Sequence, residues 1–219
     1  METSFDVISD LHLLPDDSFN WDGKATSLFL IIAGNLSNNL RTVHQTLWHL
    51  SRFYQGIFYV GGTLEYSGMK NIPGRTKDLT RICNQIQNVT YLHHHVVIID
   101  GVAILGATGW YENSELMEAE SDCIYLAQSV SKLQLHKDVK RIVMVSNTVP
   151  NSDFYFGEPT EIDVPLTLCL GSDTENKISH WVYGQQDTNT EVTVDQITYI
   201  NNSAYGKTPY WPKRISVSF

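Results

Sequence analysis

Two residues with the chemistry of a metal site lie close together near the start of the chain. Asp10 and His12 are separated by one residue and follow a short apolar run, 5–9, whose composition predicts a buried strand. A carboxylate and an imidazole on the same side of a turn are ligands that suit a divalent metal. A turn aspartate beside an exposed histidine, without a metal, is the competing interpretation. Further ligands brought close by the fold would favour the metal.

The elements that must position this pair alternate between short apolar runs and longer amphipathic stretches, a pattern typical of layered α/β or α+β folds. Strands are predicted at 5–9, 28–33, 56–60, 142–145, 166–170, 181–182 and 191–201, and helices at 39–54, 76–87 and 115–135. Residues 89–105 predict a strand, a turn at Asp100-Gly101 and a returning strand. Ligands in such folds collect at the carboxyl ends of strands, so the loops that follow the strands should converge.

Length and composition predict one soluble domain. The 219 residues are 42% hydrophobic and show no repeat or linker, which favours a single domain over residues 1–219 with 202–219 as a tail that wraps the surface. The net charge of −9 makes nucleic acid an unfavoured partner. Three widely spaced cysteines favour a reducing compartment. With no signal-peptide pattern and no apolar run long enough for a bilayer, a cytoplasmic location without membrane attachment is expected.

Five strand ends carry motif-like segments in a fixed order. They are Ile8-Ser-Asp10-Leu-His12, Ile31-Ile-Ala-Gly34-Asn35-Leu-Ser-Asn38, Val60-Gly-Gly62-Thr63-Leu64-Glu65, Val143-Met-Val-Ser-Asn147 and Val182-Tyr-Gly184-Gln185-Gln186-Asp187. The segment 99–110 adds a hairpin that leads into a small-residue turn and Trp110. Together these segments, which cover roughly residues 5–190, resemble the calcineurin-like metallophosphoesterases. The resemblance implies an α/β fold of four layers, in which two mixed β-sheets face each other and helices flank them.

In that family two metal ions activate a water molecule that attacks phosphorus. The resemblance assigns the first metal to positions 10, 12, 35 and 187, and the second metal to positions 35, 63, 147 and 185. Position 64 would carry a histidine that assists the leaving oxygen.

Most of these positions depart from the family pattern. Asn35 stands in place of the bridging aspartate, Thr63 in place of an asparagine, and Leu64, Asn147, Gln185 and Asp187 in place of histidines. The second metal site retains no imidazole and no carboxylate, so we expect it to be absent. Asp10, His12, Asn35 and Asp187 could still hold one metal weakly. Leu64 cannot donate a proton, which removes a contribution of about 10²–10⁴ in rate.

These departures predict a catalytically impaired metallophosphoesterase-like protein, a pseudoenzyme that acts by binding or assembly. One alternative is a weak mononuclear phosphoesterase that uses Asp10, His12 and Asp187; another is a structural component of an oligomer or a virion. Six altered positions argue against a laboratory-inactivated enzyme, which would normally differ at one or two. No cofactor is expected beyond one weakly bound Mn, Fe, Zn or Mg ion. The expected partner is a protein, a second copy of the chain, or a phosphate-bearing ligand.

Three further features allow a functional and a purely structural interpretation. A basic stretch after the third motif could bind an anion through Lys70, Arg75 and Lys77, or could be a solvated helix face. The run 93–95 of three histidines suggests a metal, but neighbouring strand residues point to opposite faces, so a surface loop is favoured. The aromatic tail could dock a partner or cover an open sheet face; its members are Tyr205, Tyr210, Trp211 and Phe219.

Overall fold

The computed structural model describes residues 2–110, 116–150, 152–154, 166–207 and 209–219. They form eleven strands, four α-helices and two 3₁₀ segments. The strands are β1 (Glu2–Ile8), β2 (Phe29–Ala33), β3 (Gly56–Val60), β4 (Val89–Tyr91), β5 (His95–Ile99), β6 (Val102–Ala107), β7 (Arg141–Ser146), β8 (Ile178–Tyr183), β9 (Thr190–Val194), β10 (Ile197–Asn201) and β11 (Lys213–Ser218). The helices are α1 (Leu40–Leu50), α2 (Thr63–Tyr66), α3 (Ile72–Asn84) and α4 (Leu116–Leu135); the 3₁₀ segments are Ser152–Phe154 and Leu166–Ser172.

The strands form two mixed sheets. The first has the order β11-β1-β2-β3-β4, in which β1 to β4 are parallel and β11 is antiparallel to β1. The second has the order β5-β6-β7-β8-β10-β9, with parallel central strands and antiparallel β5 and β9 at its edges. Helices flank both sheets, which confirms the predicted α/β sandwich of two mixed sheets.

The alternation of side chains along the strands creates the layers. In β2, Leu30 and Ile32 face a cluster that includes α1 and α3, whereas Ile31 and Ala33 face the cluster between the two sheets. The sequence of β2 is apolar at every position because both of its faces are buried. On the other side of the molecule, α4 packs on the outer face of the second sheet through Leu126 and other apolar residues.

Two predicted strands are wrong. Residues 166–170 lie in the 3₁₀ segment Leu166–Ser172, where Leu166 and Cys169 are buried three positions apart, as the period of that helix requires. Residues 191–201 form a hairpin, β9 and β10, whose turn residues Asp195 and Gln196 both have positive φ, 47° and 70°. A turn without glycine gives little signal, which is why the alternation looked continuous.

The stretch 89–105 contains the predicted turn at Asp100-Gly101. Its first part divides between the two sheets, because β4 pairs with β3 whereas β5 pairs with β6. The segment between β4 and β5 therefore carries the chain from one sheet to the other.

The end of the chain does not simply wrap the surface as predicted. Residues 213–218 form β11, an edge strand whose Ile215 and Val217 join the core between the sheets. Tyr210 packs in the core, whereas Trp211 is 55% exposed. Among the helices that the structure describes, none has both the length and the apolar character of a membrane span.

Candidate functional site

The loops that follow β1, β2, β3 and β8 converge on a cleft of about 840 Å³. Seven of the eight positions that the family resemblance assigns to a metal centre line this cleft; they are Asp10, His12, Asn35, Thr63, Leu64, Gln185 and Asp187. The eighth, Asn147, follows β7 and is fully buried against the same loops. The fold therefore brings all eight positions together.

Four cleft residues share an uncommon backbone conformation. Asp10, His12, Asn35 and Gln185 have φ values of 55°, 49°, 58° and 57°, in the left-handed region that residues other than glycine seldom adopt. The loops after β1 and β2 run side by side, with Asp10 N donating to Gly34 O at 3.1 Å and His12 N donating to Asn35 O at 3.0 Å. Strained residues of this kind collect at functional sites, where the surrounding structure holds them in place.

The Asp10 carboxylate is nearly saturated with hydrogen bonds. One oxygen accepts from Asn35 Nδ2 at 2.8 Å and from Gln185 N at 3.0 Å, and the other accepts from Ser9 Oγ at 2.7 Å. Burial raises the pKa of Asp10, and these three donors together with His12 oppose the increase. His12 is more exposed, at 37% of its side chain, and its Nε2 lies 3.9 Å from Asp10 Oδ1.

The orientation of the Asn35 amide follows from its neighbours. The backbone nitrogen of Leu64, which can only donate, lies 2.9 Å from Asn35 Oδ1. The amide oxygen must therefore face Leu64, and the amide nitrogen must face Asp10. At the position of the family's bridging carboxylate, this chain presents a hydrogen-bond donor to the neighbouring carboxylate.

Asn147 is enclosed in the same way. Its Oδ1 accepts from Thr63 N and its Nδ2 donates to Ala33 O, both at 3.0 Å. Gly34, with φ of 80°, packs so closely that a Cβ there would lie 2.5 Å from Asn147 Nδ2. Both ends of the amide are used within the protein.

Glu65 connects the loops after β2 and β3. Its fully buried carboxylate accepts from Gly62 N at 2.7 Å, from Asn35 N at 3.1 Å and from Leu36 N at 2.5 Å. Burial raises the pKa of Glu65, and the backbone N–H groups of Gly62 and Leu36 oppose the increase. The sequence places Glu65 in the third motif without a role; the structure gives it that of an anchor for the cleft backbone.

The residues present do not fit the dinuclear centre that the fold family implies. Thr63 offers a hydroxyl, and the Asn147 amide is committed to backbone groups. The Asn35 oxygen is committed to Leu64, and Asp10 already accepts from three donors. A metal would have to break this network before these residues could bind it.

The walls of the cleft contain Trp110 and Tyr205, which the sequence analysis had named, and Tyr66, which it had not. Tyr66 and Trp110 pack edge to face at 5.0 Å, and the Tyr205 ring lies 5.0 Å from the His12 ring. Lys207 donates from Nζ to Ser203 O at 2.8 Å. Burial lowers the pKa of Lys207, and attraction to Asp10 and Asp187 opposes this, which places its ammonium near the acidic side of the cleft.

The predicted anion-binding residues separate in the structure. Lys70 lines the cleft, whereas Arg75 and Lys77 lie on α3 and are not among the lining residues that the structure describes. Their sequence proximity to the third motif does not place them in the site: of the α3 residues, the described lining includes Ile72, at the start of the helix.

The three consecutive histidines do not lie on a regular strand. His94 has φ of 50°, and this left-handed residue places the His93 and His94 rings in a stack at 4.3 Å, while His95 begins β5.

Two of these histidines form a cluster with Asp122 on α4. His94 Nε2 lies 2.8 Å from an oxygen of Asp122. His93, His94 and Asp122 each offer a ligand atom, and these atoms lie within 4.8 Å of one another. The predicted loop is thus found for His93 and His94, which lie between β4 and β5, whereas His95 belongs to β5. The burial of Asp122 could have been predicted from the sequence, because this residue falls on the apolar face of α4 between Ala119 and Leu126.

Solved structures with the same fold include phosphoesterases. A phosphopantetheinyl hydrolase from Mycobacterium tuberculosis is 14% identical, with a TM-score of 0.67, over 98% of this chain and 96% of the other. A dimetal phosphatase from Danio rerio is 10% identical, with a TM-score of 0.61, over 91% of this chain and 86% of the other. The anchor protein of the inner membrane complex of Plasmodium is 12% identical, with a TM-score of 0.57, over 93% of this chain and 72% of the other. The sequence matches no protein-family model and no curated protein. At such identities the likeness establishes the fold, and it confirms the predicted metallophosphoesterase fold.

Proposed function

We propose that this chain, whose fold is that of the calcineurin-like metallophosphoesterases, is a catalytically impaired protein that acts by binding or assembly. One observation carries the proposal: the Asn35 amide, oriented by Leu64 N, donates to Asp10 at 2.8 Å. A carboxylate at position 35 would bridge two cations, whereas an amide nitrogen in contact with Asp10 repels them. Asp10, Asn35 and Asn147 are satisfied by hydrogen bonds within the protein instead. Among the described residues, Gln185 Oε1 is buried without such a partner.

The other altered positions agree with this proposal. Asn147 is closed off by bonds to Thr63 N and Ala33 O, so it offers no ligand to the second metal. Leu64 supplies no proton at the position expected to assist the leaving oxygen. The missing metal ligands remove the means to activate water, and the missing histidine at position 64 removes the means to stabilise the departing group.

The cleft keeps the properties of a binding site. It is large, it has aromatic walls at Tyr66, Trp110 and Tyr205, and Lys70 lies in its lining. A lysine ammonium and aromatic faces suit a phosphate-bearing ligand with an unsaturated or planar group. A protein partner is the other proposed occupant, and a structure of the same fold that is described as an anchor is consistent with assembly in place of catalysis.

The first experiment compares phosphoester hydrolysis by the natural chain and by a revertant. The revertant carries Asn35→Asp, Thr63→Asn, Leu64→His, Asn147→His and Gln185→His, with Asp187→His as an option. Both proteins are assayed with generic phosphate monoesters and diesters in the presence of Mn²⁺, after circular dichroism has established that each is folded. We expect turnover only in the revertant. Metal-dependent turnover by the natural chain at a rate comparable to that of the revertant would overturn the proposal.

A weak mononuclear phosphoesterase is the second candidate, favoured by the presence of Asp10, His12 and Asp187 in one cleft. It predicts slow turnover by the natural chain that is lost in Asp10→Ala. Because Asp10 also holds the loops together, His12→Ala is the matched variant; its side chain is more exposed and makes fewer contacts. Loss of turnover in both variants would favour the mononuclear enzyme.

Phosphate binding can be tested separately from hydrolysis. Lys70→Ala should weaken the binding of inorganic phosphate measured by calorimetry, because its ammonium lines the cleft. Lys77→Ala is the matched control, since Lys77 is an exposed lysine of the same basic stretch on α3. Equal affinity in both variants and in the parent would show that phosphate is not held in this cleft through Lys70.

A further inference from the structure

Outside the cleft, one cluster of side chains combines buried charge with metal-ligand chemistry. Asp122 on α4 exposes only 2% of its side chain, and its nearest basic group is His94, at 2.8 Å. A buried carboxylate needs a compensating charge or a full set of hydrogen bonds. His94 supplies a side-chain contact to one of the two oxygens of Asp122.

The second oxygen of Asp122 is held by the backbone. Gly109 N donates to Asp122 Oδ2 at 2.9 Å, which fixes the rotation of the carboxylate so that Oδ1 faces His94. Hydrogen bonds of this kind orient the ligands of metal sites and are part of their design. The carboxylate is thus positioned before any ion arrives.

His93 contributes a second imidazole with unused binding capacity. Its Nδ1 is buried, and among the described residues it has no hydrogen-bond partner. An unpaired buried nitrogen costs free energy unless a ligand satisfies it.

The two imidazoles lie in a column of four aromatic rings. Tyr91 stacks on His93 at 6.0 Å, His93 on His94 at 4.3 Å, and His94 on Tyr125 at 4.5 Å. The tyrosines shield the cluster on two sides, while His94, with 31% of its side chain exposed, leaves a path from solvent.

We infer that His93, His94 and Asp122 bind a single zinc-class divalent cation at a site separate from the cleft. Two imidazoles and one carboxylate suit Zn²⁺ better than Mg²⁺ or Ca²⁺, which prefer oxygen ligands. Tetrahedral Zn²⁺ places its ligand atoms roughly 3.3 Å apart. His94 Nε2 and Asp122 Oδ1 are 2.8 Å apart, and all three ligand atoms lie within 4.8 Å of one another, so small shifts would bring them to that spacing.

Binding requires one local movement. The ion must lie close to the plane of each ring that binds it, and the stacked rings of His93 and His94 are parallel to within 9°. One ring therefore turns about its Cβ–Cγ bond, a torsion with a broad energy minimum in histidine. The three protein ligands leave a fourth position open to water or to a group from a partner.

The site would connect three segments of the fold. His93 and His94 lie in the link between β4 and β5, Asp122 lies on α4, and Gly109 precedes Trp110 in the cleft wall. A bound ion would join the crossing between the two sheets to the outer helix.

The test is zinc binding by the full chain, measured by equilibrium dialysis and elemental analysis. We expect one Zn²⁺ per chain, and Co²⁺ in its place should give the visible absorption of a tetrahedral centre. His94→Gln and His93→Gln should each weaken binding by at least about tenfold. They are the main variants, because Asp122→Asn also disturbs the bond from Gly109 and can unfold the protein.

Two control variants locate the ion. His95→Gln alters the third histidine of the run, and a His12→Gln, Asp187→Asn double variant alters the cleft. Both should bind Zn²⁺ as the parent does. Absence of stoichiometric binding by the parent, or loss of the ion in either control while His94→Gln retains it, would overturn the inference.

Discussion

At the scale of single residues, an amide in place of an acid or an imidazole has a structural as well as a chemical effect. Asn147 satisfies Thr63 N and Ala33 O, two backbone groups from different loops of the cleft. A histidine or an alanine at this position cannot satisfy both in the same geometry. The asparagine at a position where the family resemblance implies a metal ligand therefore supports the fold.

Asn147→Ala should destabilise the protein, because it leaves a buried donor and a buried acceptor unpaired. Each unpaired group costs about 1–3 kcal/mol. Urea unfolding followed by circular dichroism measures the change. Asn84→Ala, at an exposed position at the end of α3, is the matched control and should change the stability little. If both variants unfold at the same urea concentration, the hydrogen bonds of Asn147 do not stabilise the fold.

Residues of the candidate site could be predicted from the sequence where they belong to one of the five motifs. All eight positions that the family resemblance assigns to the metal centre, from Asp10 to Asp187, lie together. Lys207 was not predicted, since nothing in its local sequence indicates proximity to Asp10. The pair of His94 and Asp122 was not predicted either, because a left-handed residue reversed the expected alternation of side chains. Whether these positions are functional remains a prediction.

At the scale of elements, the last strand belongs to the core of the protein and does not only cover its surface. β11 extends the first sheet at β1 and places Ile215 and Val217 between the two sheets. Ser216 and Ser218 point outward. This alternation marks the end of the chain as a part of the core.

Ile215→Ala should therefore destabilise the protein by about 2–5 kcal/mol, the usual cost of removing a buried isoleucine. Ser216→Ala, on the outer face of the same strand, should change the stability by less than about 0.5 kcal/mol. Thermal unfolding of the two variants gives the comparison. Equal melting temperatures for both would mean that the strand does not pack as described.

A histidine in β8 should make the stability depend on pH. Burial lowers the pKa of His180 below its ordinary value of 6.5, and Glu191 opposes this shift. As the pH falls below 6.5, the unfolded chain takes up the proton before the folded chain does, so the free energy of unfolding decreases until the folded pKa is passed. His180→Gln should flatten this part of the stability curve. Parallel curves for the parent and the variant would contradict the prediction.

The elements that sequence patterns missed had weak local signals. The segment 166–172 is apolar like a strand, but its buried residues recur every three positions. The turn at Asp195-Gln196 contains no glycine, so the hairpin of β9 and β10 looked like one strand. By contrast, β3 was predicted to the residue, because glycines bound an uninterrupted apolar run.

At the scale of the whole molecule, the two sheets share one core. Residues from both sheets, among them Phe5, Ile31, Ile104 and Val145, form a single cluster between them. Neither sheet can lose its partner without exposing this surface to water. This arrangement was predicted through the family resemblance that the five ordered motifs carry.

Unfolding should consequently be one cooperative transition. Far-ultraviolet circular dichroism reports the backbone. Near-ultraviolet circular dichroism reports the packing of aromatic residues such as Trp21 and Trp181, which lie on opposite sides of the molecule. The unfolding curves from the two signals should coincide over a urea titration. Ile104→Ala, in the shared core, should shift both curves together. Two separate transitions would mean that the sheets unfold independently.

The bond between the Asn35 amide and the Asp10 carboxylate also bears on how this site could evolve. Asn35→Asp alone would place two buried carboxylates where a bond of 2.8 Å now joins a donor to an acceptor, with no cation to offset their repulsion. The same change in a chain that already carried the other metal ligands of the family would supply a bridge. The effect of this one substitution thus depends on the residues around it, and a lineage that must remain folded at each generation is kept from reaching metal chemistry one mutation at a time.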